Sequence, residues 1–357
     1  MAVTRNEARI SILGVPDLPG TILKIVDPLA QHQITVDMIV QNVSDAGQTD
    51  ISFTVAGDEV EQATKILSQT IGSLGGSIGT IDQDVAKVSI VGFGMASQTG
   101  VAGRMFQSLA KSGVNIQMIS TGDIKISALV SGDHALSAVE AVHSAFGLDS
   151  TDQKVNNRRT ADSNGGAQLL ASARDQADVV AVIERLQQVG MESLTIEAVD
   201  LDDTQSLITL ARVPNQPGIA ATIFDLVAQQ DIFVDMIVQS YAHDQFADIS
   251  FTVPRRDFQT ASGVAEQLQT VLKCKDVKRQ ECLCKLSAIG VGLRSHAVVA
   301  LETFKVLSDA GINIEMVNTS EICLNVAIPE SQSAKGLELL RSHFECDSQT
   351  QFQNSIN

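Results

Sequence analysis

The hexapeptide VDMIVQ occurs twice in this chain, at Val36–Gln41 and again at Val234–Gln239, 198 residues later. The register continues on both sides. DISFTV follows the first copy at Asp50–Val55 and the second at Asp248–Val253, and VPDLPG (Val15–Gly20) faces VPNQPG (Val213–Gly218). Residues 14–55 laid on 212–253 without a gap are identical at 21 of 42 positions, more than a short shared motif would supply. GVNIQMISTGDIKIS from Gly113 meets GINIEMVNTSEICLN from Gly311 at the same shift. The chain is therefore a duplicated unit nearly two hundred residues long, and repetition on that scale sets the architecture before local propensity does.

Each half repeats within itself. The pattern after Gly20 leads to ITVDMI, and the pattern after Gly100 leads to VNIQMI, a shift of 80. Four modules result, over residues 1–82, 85–148, 201–281 and 283–346. Residues 149–166 are polar and rich in Asn, Asp, Ser and Gly, as a linker would be. Residues 167–200 read as an extra helix (DQADVVAVIERLQQVG) and strand (SLTIEAV) without an assignable partner, and 347–357 form a tail.

Module one gives the fold. RISILGV alternates apolar and polar residues up to the turn PDLPG. TILKIVDPLAQHQ then carries Ile22, Ile25, Val26 and Leu29 at helical spacing, with Pro28 as an interior breaker where module three has Leu226. ITVDMIVQN and TDISFTVAG, joined by a turn at SDAG, predict a hairpin. DEVEQATKILSQTIGSLG predicts a second helix, opened by Asp and closed by Gly, and SIGTIDQD a fourth strand. The order β-α-β-β-α-β is the ferredoxin-like unit, an α+β fold with an antiparallel sheet and both helices on one face. GFGMASQTG (Gly92–Gly100) sits where a dinucleotide fingerprint would, but Ser97 occupies the third glycine position and the next strand enters a hairpin. A doubly wound fold would need a second parallel crossover instead.

Modules of 60–80 residues lie near the lower limit of independent stability, so they are expected to pack in pairs, one with two and three with four. The apolar strands VDMIVQ and DISFTV would make poor open edges, which predicts self-association of the chain. A net charge of −17 opposes binding to nucleic acid or anionic lipid. No apolar run approaches membrane-spanning length, and MAVTRNEAR carries charges where a signal peptide needs an apolar core, so a soluble cytoplasmic protein is expected. The cysteines (Cys274, Cys282, Cys284, Cys323, Cys346) are odd in number, and no His or second close pair accompanies Cys282 and Cys284. Neither a disulfide framework nor a metal or cofactor is expected. The histidines show no catalytic spacing, no phosphate-cradling GxxxxGK[ST] loop is present, and no catalytic residue is assigned.

Gly20, Gly100 and Gly218 each stand where a strand turns into a helix. Tight-turn geometry alone would explain a glycine there. A helix start also offers free N–H groups and a positive dipole end to a carboxylate. A free amino acid could rest its carboxylate there and its ammonium on Asp17 or Gln41, with Asn115 and Ile116 supplied by module two. Composition leaves the two readings level.

GVPDLPG…VDMIVQNVS…TDISFTV, followed by VSIVGFGMASQTGVAGRMFQSLAKSGVNIQMISTGDIKIS, resembles the paired ACT domains in the regulatory region of aspartate kinases. The fourfold array resembles the members of that family with four such domains. The resemblance implies allosteric feedback control by lysine and/or threonine. Carried over residue by residue, it implies effector contacts from Asp17, Gly20, Ile22 and Gln41 with Asn115 and Ile116. The duplicate set is Asn215, Gly218, Ala220 and Gln239 with Asn313 and Ile314. The family's ISTSEI segment stands here as ISTGDI (Ile119–Ile124) and VNTSEI (Val317–Ile322), placing Thr121, Asp123, Thr319, Ser320 and Glu321 around the sites, with Asp37 and Asp235. Gly122 departs from the family's serine, Val298 replaces the glycine found at Gly100, and Asn215 lacks the charge of Asp17. The two sites are accordingly expected to differ in effector or affinity. Nothing resembling the family's kinase domain, which opens near KFGGTS, is present, so the catalytic domain is an expected partner. The alternative is a free-standing ACT sensor of another small metabolite.

Overall fold

The computed structural model describes residues 1–42, 47–92, 95, 98–122, 124–148, 195–241, 245–291, 297–319 and 323–346. The expected linker, the helix read within 167–190, the tail, and most of the SDAG turn fall outside them.

Module one contains β1 (Ala2–Pro16), α1 (Thr21–Gln31), β2 (Ile39–Gln41), β3 (Gln48–Ala56) and α2 (Val60–Leu74). β4 (Ser77–Val91) continues into module two, with α3 (Val101–Lys111), β5 (Met118–Gly122), β6 (Lys125–Ser131) and α4 (Ala135–Ala145). The second half repeats the order: β7 (Thr195–Pro214), α5 (Ile219–Gln229), β8 (Ile237–Tyr241), β9 (Phe246–Pro254), α6 (Phe258–Leu272), β10 (Asp276–Val291), α7 (Ala297–Asp309), β11 (Met316–Thr319), β12 (Cys323–Pro329) and α8 (Ser333–His343). These are ferredoxin-like modules of antiparallel sheet with helices, as the sequence predicts.

Two details differ from expectation. Residues 34–38 leave the sheet, because the Thr54 hydroxyl takes the Met38 N–H at 3.2 Å while the Thr54 N–H donates to the Met38 carbonyl. Thr252 holds Met236 in the same way at 3.0 Å, so each DISFTV segment fixes the bend of its VDMIVQ segment. The strand read at Ser193–Val199, whose first two residues lie outside the description, is the leading end of β7 and pairs with β10, Ala198 opposite Ile289.

The larger difference concerns which modules pair. β1 runs antiparallel to β4 along most of its length, and the far half of β4 (Val85–Val91) pairs with β6. Modules one and two are thereby fused through their middles. Their edge strands β2 and β5 are left to seek partners elsewhere. β2 finds β11, with Gln41 opposite Val317, and β5 finds β8, with Ile119 opposite Gln239. The twelve strands close in the order β1-β3-β2-β11-β12-β10-β7-β9-β8-β5-β6-β4. Modules one and four form one pair, modules two and three the other, correcting the expected grouping of sequence neighbours. The apolar edge strands β2 and β5 that suggested self-association pair with β11 and β8 of the same chain.

Three cores follow from this closure. One joins helices and strands of modules two and three around Phe106, Phe224 and Phe251, and a second joins modules one and four around Phe53 and Phe304. The third lies between them and takes side chains from all four modules, among them Met38, Val40, Met118, Met236 and Met316. Period-two alternation in β2 serves both layers: Ile39 enters the one–four core, and Val40 enters the central one. Burying each such side chain contributes about 1.5–3 kcal/mol.

Candidate functional site

Gly20 and Gly218 cap α1 and α5 in the left-handed region, at φ 86° and 94°, which only glycine enters freely. Each turn is opened by a sequence-matched pair of backbone bonds. Asp17 N–H donates to the Gly47 carbonyl at 2.9 Å, and Asn215 N–H to the Gln245 carbonyl at 2.8 Å. The first helical N–H groups close these turns, Thr21 donating to the Leu18 carbonyl at 3.1 Å and Ile219 to the Gln216 carbonyl at 3.3 Å, and the next ones are those a helix start leaves free.

The structure brings the predicted residues together in a new combination. Asp17, Gly20, Ile22 and Gln41 of module one meet Asn313 and Ile314 of module four. Asn313 Nδ2 donates to Asp17 Oδ1 at 2.9 Å, and Gln41 Nε2 donates to the Ile314 carbonyl at 2.7 Å. Asn215, Gly218, Ala220 and Gln239 of module three meet Asn115 and Ile116 of module two. Asn115 Nδ2 donates to Asn215 Oδ1 at 3.0 Å, Gln239 Nε2 donates to the Ile116 carbonyl at 2.8 Å, and all six residues line one pocket. The sequence paired module one with module two at these positions, whereas the structure sets module one against module four and module three against module two. A repeat shows which positions are equivalent and leaves open which of them touch.

The outer residues act as clips. Thr121 Oγ1 donates to the Asp235 carbonyl at 3.1 Å and accepts from Ile237 N–H at 2.8 Å. Thr319 does the same across the other interface, donating to the Asp37 carbonyl at 2.9 Å and accepting from Ile39 N–H at 3.1 Å. The carboxylates of Asp37 and Asp235 turn away to Lys87 and Lys285. Asp123, Ser320 and Glu321 lie outside the described residues. Gly100 caps α3 at φ 82° and opens a second pocket of the two–three interface, lined also by Thr121, Phe224, Phe233 and Asp235. α7, where Val298 replaces that glycine, begins at Ala297 and leaves Val298 half exposed.

Sequence reasoning missed Ser308 and Ala110, which stand against the glycine turns across each interface. A Cβ at Gly20 would collide with the Ser308 hydroxyl, whereas one at Gly218 would meet only the Ala110 methyl at 3.9 Å. It also missed Glu315, one residue past Ile314 and close enough to Asp17 to feel its charge. Burial raises the Glu315 pKa; a hydrogen bond from Gln280 opposes this, and the negative Asp17 adds to it. None of Ser308, Ala110 and Glu315 carries a local motif, and only the folded interface brings them beside Gly20, Gly218 and Asp17. Burial also pushes the Cys274 and Cys284 thiols up, away from nucleophilic character. Among the described residues no group of side chains could hold a metal ion, and no helix is long and apolar enough to cross a membrane.

Models of the ACT domain match residues 8–72, 88–146, 211–269 and 286–344, one per module. The chain belongs to the ACT-domain family. Its ACT modules resemble the regulatory part of aspartokinases. The aspartokinase of Pseudomonas aeruginosa is 48% identical over 149 residues, and the aspartate kinase of Pseudomonas fluorescens 49% over 149; each match covers 42% of this chain and 36% of the relative. The matched region is thus about a third of those proteins' length. The aspartate kinase from Synechocystis aligns over 96% of this chain and 55% of its own, with a TM-score of 0.80 and 29% identity.

Proposed function

We propose that this ACT array is the regulatory region of an aspartate kinase, which senses lysine and/or threonine and transmits feedback inhibition to a catalytic domain in the cytoplasm. The observation that carries the reading is the twice-built composite site. In each, a glycine-capped helix start stands beside a buried glutamine that is tied to a carbonyl of the opposing module. Such a site suits a free amino acid: the helix start attracts its carboxylate, and the carboxylate, amide and carbonyl oxygens accept from its ammonium. Because each site spans two modules, an occupant favours one relative placement of those modules, which is what differential binding requires of an effector.

The chain carries no assigned catalytic group, so phosphate transfer would come from the catalytic domain. Isothermal titration of the full chain with lysine and with threonine should give dissociation constants between micromolar and millimolar, about 8 to 4 kcal/mol of binding free energy. The same preparation should show no aspartate-dependent turnover of ATP. Absence of heat from both amino acids at saturating concentration would remove the proposal.

A further inference from the structure

Module four carries a groove of about 590 Å³ between α8 and the leading end of β7, away from both composite sites. Leu201 of β7, Ala334 and Leu337 of α8, and Cys346 just beyond α8 line it, with Glu338 and Arg341 among its polar residues. Two bonds tie its sides together: Arg341 Nε donates to the Val199 carbonyl at 2.9 Å, and Cys346 Sγ to the Ile196 carbonyl at 3.7 Å. This end of β7 is also an edge. It pairs with β10 from Thr195 onward, whereas its ladder with β9 begins only at Gln205 opposite Pro254. Among the described residues no strand takes the other side, and proteins commonly cover such an edge with a helix.

We infer that residues 176–189, a segment outside the described residues, form a helix that docks in this groove beside α8 and over the edge of β7. Val179, Val182, Ile183 and Leu186 recur at helical spacing and make one apolar face, while Glu184, Arg185 and Gln188 fall on the other. Asp175 stands where such a helix would start and Gly190 where it would stop. A lone helix of this length is marginal in water, so its apolar face needs a partner. The chain sets where that partner is. Only Met191–Leu194 separate Gly190 from Thr195, the first residue of β7, a reach of about 15 Å. Ile196, next in line, is the residue whose carbonyl Cys346 holds at the end of the groove. A segment tethered this closely meets the groove at an effective concentration in the millimolar range, ahead of a second copy in dilute solution.

The repeat supplies a contrast. Val3, Leu136, Val139 and Leu148 hold the equivalent positions of module two, where Val3, Leu136 and Leu148 are 43, 61 and 47% exposed. Ala334 replaces Leu136 in module four, and a small residue at a helix contact lets a second helix come closer. The chain continues from Leu148 into residues 149–166, which are polar and offer module two no apolar face. Docking on module four therefore anchors the connection between the two halves at its far end and leaves the patch of module two uncovered by it.

Cys346 supplies the probe, because a docked helix covers it. The full chain is treated with N-ethylmaleimide, and modification of each cysteine is followed by mass spectrometry, with Cys282, which does not line the groove, as the reference. Leu186→Glu should raise the rate at Cys346 relative to Cys282 at least about tenfold, the opening expected when one leucine is no longer buried. Ile183→Glu stands in should that chain fail to fold by circular dichroism. Hydrogen exchange should be slow at residues 177–189 of the wild-type chain and fast in Leu337→Glu, which spoils the groove from its other side. Exchange as fast as in a free peptide of the same sequence would overturn the proposal, as would a Cys346 rate that both segment variants leave unchanged. Protection lost in Leu136→Glu and kept in Leu337→Glu would put the segment on module two, and protection that fades on dilution would give the groove to a second copy; either result overturns it as well.

Discussion

Glu7, Lys87 and Asp37 form a buried cluster in the first half, and the equivalent positions of the second half hold Gln205, Lys285 and Asp235. Lys87 lies 3.2 Å from Glu7 and is also paired with Asp37. Lys285 pairs with Asp235, while Gln205 turns to Asp202, donating to its Oδ2 at 2.7 Å. The frame is the same and the charge is not. Across the molecule, the duplication has kept shape and moved ionisable groups: Arg9 faces Leu207 and Asp82 faces Gln280 in the same register. Packing tolerates little change in volume, so an amide-for-carboxylate exchange is one of the few steps open to a buried position.

The sharpest way to break that comparison is to remove the two lysines. Lys87→Met removes the ammonium that both Glu7 and Asp37 contact, and a broken buried pair costs about 3–5 kcal/mol. Lys285→Met strands a single carboxylate, Asp235, because Asp202 is already held by Thr204 and Gln205. It should cost less by about 1–2 kcal/mol. Urea unfolding curves of both variants measure the difference, and equal losses would mean that Glu7 contributes nothing to the contrast.

A second contrast lies in pH. Burial raises the Glu7 pKa; Lys87 opposes this, and Asp37 reinforces it. A carboxyl whose folded pKa is raised holds its proton more tightly when folded, so its stabilising contribution is complete at low pH. That contribution fades as pH rises through and beyond the ordinary glutamate range. Asp202 goes the other way. Burial works against its charged form, but hydrogen bonds from Thr204 and Gln205 outweigh it and lower the pKa, so its contribution is lost as pH falls through the acidic range. Glu7→Gln, which writes the second-half residue into the first, should flatten the loss of stability above the glutamate range and leave the acid limb in place. Thermal melts across pH that keep the wild-type slope in this variant would assign the slope to other groups.

Gln41→Ala and Gln239→Ala probe the sites at a smaller cost. Each removes a bond to a carbonyl across a module interface, worth about 1 kcal/mol of stability. Each should weaken the effector of its own site and spare the other. In a holoenzyme, each should relieve inhibition without lowering uninhibited activity, because effector coupling is typically about 1–3 kcal/mol. Inhibition curves that overlay the wild type for both amino acids would leave these residues a packing role alone.

The sequence was informative wherever a position could be compared with its own repeat. The order of elements and the helix-start glycines are visible from the shifts of 198 and 80, and so are the residues that end up at the interfaces. The adjacency of modules one and four was not. It depends on the length of β4 and β10, which run through the expected module boundaries at 82–85 and 281–283 and tie sequence neighbours together by their middle strands. No local pattern announces that a strand serves two modules, since both of its halves alternate as any half-buried strand would. Glu315 and Ser308 escaped for a related reason: each gains meaning only opposite a module almost three hundred residues away.

The smallest expected effect concerns a single backbone angle. β1 and β7 share an irregularity after Ile12 and Leu210, where the Gly14 and Arg212 N–H groups donate to Asp50 and Asp248 at 2.8 and 2.6 Å. Gly14 has φ 66°, and Arg212 holds φ 55°, a conformation that costs a residue with a Cβ about 1–2 kcal/mol. Arg212 offsets part of this by setting its guanidinium 4.6 Å from the Phe246 ring centroid, worth about 0.5–1 kcal/mol. Gly14→Ala meets only Gln48 Oε1 at 3.8 Å, so its cost should be the backbone term alone, about 1 kcal/mol. Arg212→Gly relieves the strain, gives up the ring contact and frees the unfolded chain, three changes that should nearly cancel. Urea unfolding should therefore show a loss for Gly14→Ala and a change within about 0.5 kcal/mol for Arg212→Gly. A loss at Arg212 as large as that at Gly14 would mean that the ring contact, rather than the aspartate below it, holds this bend in the second half.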